Sequence, residues 1–245
     1  MIEHHLDIPT QAGAMNTFVT HPEENGPFPV VLFYMDAPGK REELHDMARR
    51  IATTGYVVIL PNLYYRKTRE FVWDRSEESM KAMFDMTKHL SLELIMEDTK
   101  CLLDFVAAFP AADASRIGAV GYCMSGPFVF KAASRYPDQI ACAASIYGAN
   151  LLTQRSDSPH LDAHLIKGEI YFACAEIDHF APTDVINALE KHLDSCDINY
   201  RLEWYPGAEH GFAFPGRGAI YHKPSAERHW ERLHDLFERN LKPNR

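Results

Sequence analysis

One stretch constrains this chain more than any other: residues 116–135, RIGAVGYCMSGPFVFKAASR. An apolar, glycine-containing run from Ile117 to Tyr122 meets a cysteine, and a helix-favouring segment from Phe128 to Ser134 follows. Cys123 therefore falls where a strand turns sharply into a helix. In such an elbow, small residues two before and two after the central one let strand and helix cross closely, while the central residue is strained and exposed. Gly121 and Ser125 fill those places. The positive end of the following helix favours a thiolate, which is the reactive form of cysteine. Ser125 is out of register as a nucleophile, because Cys123 rather than glycine stands two residues before it. The competing reading is a buried structural cysteine in a tight turn, a common fate of free thiols.

The segments around the elbow alternate between strand and helix. Ile2 to Ile8 and Asn16 to Thr20, separated by Pro9 to Gly13, predict an N-terminal antiparallel hairpin. Val30 to Met35 is a continuous apolar run of the kind buried on both faces of a parallel sheet. Glu42 to Thr54 has helical spacing and stops at Gly55; Tyr56 to Leu60 is the next strand, broken by Pro61. Asn62 to Trp73 is aromatic and basic without a clean period, and is read as a loop over a ligand site. Helices are predicted at 77–89 and 92–109, then the elbow, a strand at 141–147 and a polar loop at 150–164. A strand at 169–175, a helix at 183–195, a strand at 200–205 and a last helix at 225–241 complete the pattern. The expectation is one α/β domain over 1–245: a mostly parallel central sheet with helices on both faces and ligands at the carboxyl ends of the strands.

Composition narrows the function. A formal charge of −9 argues against nucleic-acid and anionic-membrane partners, which select a basic face. Five widely spaced cysteines, an odd number with no CxxC pair, indicate neither a disulfide framework nor a zinc site. Reduced thiols, no targeting pattern in MIEHHLDIPT and no apolar run of spanning length predict a cytoplasmic protein. The charge suits a monomer, and no metal or organic cofactor is expected.

A nucleophile needs a base, and the base needs an orienting acid. Asp178 ends the run from Tyr171 to Ile177 and is placed as the acid, ahead of Glu176 and of Asp184, which reads as a helix cap. His210 lies in PGAEHGFAFPG after the next strand and is placed as the base; the chain has 13 histidines, and His179, adjacent to Asp178, is its main competitor. His160 and His164 share a helical spacing but lack a third ligand. Nucleophile, acid, histidine, each after a strand, is the chain order of the α/β-hydrolase triad. The same architecture places oxyanion donors at the backbone N–H groups of Met124 and Ala37, with Asp36 close to the thiol.

Taken together, GYCMSG, Asp178 with Pro182, the PGAEHGF box and VVLFYMD followed by GYVVILPNLYYR resemble the dienelactone hydrolase (carboxymethylenebutenolidase) family of the α/β-hydrolase superfamily, over residues 2 to 240. The resemblance implies a Cys123, His210, Asp178 triad and an acid at Asp36 that manages the thiol proton. It implies hydrolysis of a lactone or small ester through a thioester. The sequence departs from the family twice: the usual glutamate is Asp36, and the arginine expected four residues after the histidine is Phe214. Arg217, Arg66 or Arg69 then stand as candidate substrate-binding cations, with Tyr64 and Phe214 beside them as candidate substrate contacts, and an apolar-flanked ester or lactone is the substrate this predicts. The alternatives are a general carboxylesterase or thioesterase on the same triad, and a non-catalytic protein with a reactive sensor cysteine.

Overall fold

The computed structural model describes residues 1–242. Its eight-stranded sheet has the order β1-β2-β4-β3-β5-β6-β7-β8, with β1 Ile2–Thr10, β2 Gly13–His21, β3 Phe28–Tyr34, β4 Val57–Pro61, β5 Ala112–Tyr122, β6 Ile140–Ile146, β7 Glu169–Ile177 and β8 Tyr200–Glu209. Six α-helices accompany it: α1 Glu42–Ala52, α2 Glu77–Thr87, α3 Leu92–Ala108, α4 Gly126–Arg135, α5 Thr183–Leu193 and α6 Lys223–Leu241. Two units divide the chain, Met1–Ile117 and Gly118–Arg245, the division falling within β5.

In the first unit, β1 and β2 form the expected antiparallel hairpin, and β2 runs antiparallel to β4, which is parallel to β3. The hairpin is longer than its apolar runs suggest. Pro9 stays in register opposite Ala14 because β1 is an edge strand, where a missing N–H costs no ladder bond. Pro61 likewise belongs to β4, opposite Thr17, as the last residue of that strand. β3 and β4 are buried almost throughout, as strands covered on both faces must be. Leu44, Met47, Ala48 and Ile51 of α1 face the core, and the chain leaves that helix through Gly55 at φ +95°.

In the second unit, β6, β7 and β8 are parallel, and α4 and α6 both pack on β6. The segment expected as a polar loop at 150–164 contains a 3-10 turn, Pro159–Leu165, started by a proline and buried at Ala163. Parallel strands send their carboxyl ends to one edge, so the residues just after β7 and β8 are brought to the same side of this unit. Among the described residues, no helix is long and apolar enough to cross a membrane.

Candidate active site

Cys123 follows β5 at φ +57°, opens a 3-10 turn through Ser125, and runs directly into α4. A left-handed conformation at a non-glycine residue costs about 1–3 kcal/mol and persists only where its surroundings fix it. Here they do. A Cβ on Gly121 would lie 2.4 Å from the carbonyl oxygen of Ser125, and one on Gly126 would lie 2.4 Å from the Cα of Gly148. Only glycine allows those approaches. The N–H of Ala149 donates to the carbonyl of Cys123 at 3.1 Å, tying the elbow to the loop after β6. Ser125 is fully buried and serves as the crossing residue. Gly126, which sequence reasoning passed over, is a second point of close contact.

Asp178 sits directly after β7 with its side chain only 1% exposed. Its Oδ1 accepts from the backbone N–H groups of Phe180 and Ala181, at 2.9 and 3.1 Å. Its Oδ2 lies 2.7 Å from Nδ1 of His210, the residue after β8. A carboxylate only accepts, so Nδ1 carries the proton and Nε2 is the free end of the imidazole. That Nε2 is buried and makes no hydrogen bond. Burial alone would lower the pKa of His210; the hydrogen bond to Asp178 and the interaction with Cys123 overcome it and raise the group to about 9. The Cys123 side chain is thus near enough to His210 to act on its protonation. The ring is flanked by Tyr147, with centroids 5.1 Å apart, and by Phe180 at 4.8 Å.

The rivals stand elsewhere. The Glu176 carboxylate accepts from Gly207 N–H at 2.7 Å, Asp184 lies in the first turn of α5, and the exposed His179 packs on Phe180. Phe214, in the family's arginine position, is completely buried beneath Tyr122 and Tyr147. The Arg217 guanidinium lies 5.7 Å from the Phe214 ring centroid. Met124 supplies the first N–H after the cysteine, at the mouth of the helical turn.

The candidates in the first unit form their own set. Asp36 is fully buried and bound through both oxygens to Arg41, at 2.5 and 3.3 Å. Arg41 also meets the carbonyl of Gly39 and the carboxylate of Glu43. Although burial opposes its charge, the two acids raise the pKa of Arg41 above the usual value. Arg41 was not singled out from sequence; its signal was a guanidinium five residues from an acid within one strand-end turn. Tyr64 donates to the carbonyl of Ala37 at 2.7 Å. Arg66 forms a two-pronged pair with Asp98, at 2.7 and 2.8 Å, and Arg69 pairs with Asp7 at 2.9 Å. Among the described residues, no group of three or more His, Cys, Asp or Glu is arranged to hold a metal ion.

The family sequence model for dienelactone hydrolases matches residues 15–241. The chain belongs to the dienelactone hydrolase family. It is thus a hydrolase of the dienelactone hydrolase type with the α/β-hydrolase fold. A Synechocystis protein provisionally named carboxymethylenebutenolidase is 26% identical over 240 residues, covering 97% of this chain and 96% of its own. An Escherichia coli K12 protein with the same provisional name is 27% identical over 241 residues, covering 94% and 84%. The crystal structure of a provisionally named dienelactone hydrolase from Klebsiella pneumoniae superposes with a TM-score of 0.86 at 25% identity, covering 96% of this chain and 98% of that one.

Proposed function

We propose that this dienelactone hydrolase family member hydrolyses a lactone or small carboxylic ester through a thioester on Cys123. The observation that carries the reading is the 2.7 Å hydrogen bond from His210 to Asp178, which leaves the buried Nε2 turned toward chemistry with Cys123. The Cys123 thiol passes its proton to Nε2 of His210 as the sulfur attacks the carbonyl carbon and forms the C–S bond. The Met124 N–H holds the resulting oxyanion, a donor whose loss in comparable sites costs about 10²–10³ in rate. As the C–O bond breaks, the His210 imidazolium gives its Nε2 proton to the leaving alkoxide, which opens the ring of a lactone. Neutral His210, held by Asp178, then takes a proton from water as the water oxygen attacks the thioester. The acid leaves, and the departing sulfur takes that proton back from His210.

The pairing of Arg66 with Asp98 and of Arg69 with Asp7, together with phenylalanine at position 214, favours an apolar-flanked or neutral ester over an anionic lactone. Arg217, whose guanidinium lies 5.7 Å from the Phe214 ring centroid, is the candidate tested for meeting a carboxylate. The test compares cis- and trans-dienelactone with neutral short-chain esters while following intact mass. An acyl adduct on Cys123 that forms and decays is expected, and Cys123→Ala should abolish turnover in a folded protein. Unchanged hydrolysis by that variant would overturn the reading. A preference for the anionic lactones that is lost in Arg217→Met would transfer the carboxylate clamp to Arg217.

A further inference from the structure

A buried histidine outside the triad stands one contact behind the nucleophile. His229 of α6 is fully buried, and its Nδ1 is hydrogen-bonded to the carbonyl of Ala226, one helical turn earlier. A carbonyl only accepts, so Nδ1 carries the proton and Nε2 presents a lone pair. The Tyr122 hydroxyl lies 3.1 Å from that Nε2 and donates to it. Tyr122 is itself fully buried and is the residue immediately before Cys123.

The Tyr122 ring is in contact with Tyr147, at 5.9 Å between centroids, and Tyr147 in turn packs edge-on against His210. Tyr147 is strained as well, at φ +38°, and the loop it opens holds the Cys123 carbonyl through the N–H of Ala149. Two left-handed residues, Cys123 and Tyr147, therefore flank one tyrosine whose hydroxyl is anchored by one imidazole. Strained backbone of this kind persists only where packing and hydrogen bonds over-determine it, and a small displacement of a nucleophile or base costs rate steeply.

We infer that His229 is a positioning residue: through its hydrogen bond to Tyr122 it fixes the nucleophile elbow and the aromatic wall against which His210 is aligned. It acts through Tyr122 and touches no reacting atom. The inference rests on the Cys123 hydrolase reading.

The test uses the full chain and two readouts: steady-state ester hydrolysis per titrated Cys123, and the second-order rate of Cys123 alkylation by iodoacetamide. His229→Asn keeps a polar group near Nδ1 but removes the acceptor at Nε2; His229→Gln returns an acceptor there; Tyr122→Phe removes the donor. A hydrogen bond of ordinary worth predicts kcat about tenfold lower in His229→Asn and Tyr122→Phe, with KM unchanged and alkylation slowed in parallel. His229→Gln should recover kcat to within about threefold of wild type, and the double variant should be no worse than either single one. Additive losses, no rescue by glutamine, or wild-type kcat and alkylation rates in both single variants would overturn the inference. If the wild-type protein shows no Cys123-dependent hydrolysis, the hydrolase reading fails, while the alkylation rates still decide whether His229 positions the thiol.

Discussion

In the unit Met1–Ile117, the buried acids Asp36 and Asp98 both end on arginines that grip two oxygens at once. In the unit Gly118–Arg245, the buried acid Asp178 ends on a histidine, whose far nitrogen is buried without a hydrogen bond. Arginine cannot give up its proton at any ordinary pH, so a carboxylate paired with it is fixed. Histidine can, and an imidazole with one end anchored and the other open is prepared to move a proton. The same carboxylate chemistry thus forms a clasp in one place and, in the proposed mechanism, supports a base in the other. Buried charge becomes informative about function only when its partner is known.

The contrast can be broken at either end. The largest effect expected, after loss of Cys123 itself, comes from Asp178→Asn. An amide at that place favours the wrong imidazole tautomer, and comparable changes cost on the order of 10⁴ in kcat. The same change should alter stability against pH. The folded-state pKa of His210 is raised, to about 9 from an ordinary 6.5, so the folded protein holds this proton more tightly than the unfolded chain does. Its contribution is complete below about 6.5 and disappears as pH rises through about 9, a loss of about 3 kcal/mol. Denaturant melts between pH 6 and 10 should show that loss in the wild type and a much shallower slope in Asp178→Asn. Smaller and of another kind is Asp98→Asn, which strands the partly buried Arg66. It should cost about 3 kcal/mol of stability while leaving kcat per folded site unchanged. A tenfold fall in kcat there would mean that the first unit's clasps are not merely structural.

Most of this arrangement was legible in the sequence, for definite reasons. A continuous apolar run before a cysteine, with glycine two residues earlier, has few other ways to fold, and β5 with its elbow follows from it. Asp178 and His210 were visible because each ends a strand in a parallel sheet. Ranges failed at the edges, where Pro9 and Pro61 read as strand breakers but occupy positions that need no N–H. The fates of the cations were hidden. Nothing local to Arg66 indicates that Asp98, 32 residues later, will hold it, and the role of His229 depends on a contact across 107 residues. The pairing of Arg41 with Asp36 is local, since the two share one turn. Side-chain pairing across the fold, unlike the alternation of strand and helix, leaves little periodic trace.

The most direct measurement is a nitrogen-resolved NMR titration of the His210 imidazole, identified by its absence in His210→Gln and followed in wild type, Cys123→Ala and Asp178→Asn. A midpoint near 9 in the wild type that falls toward 6.5 when either partner is removed is the result expected. A wild-type midpoint already near 6.5, or one unmoved by loss of the Cys123 sulfur, would show that thiol and imidazole are not coupled.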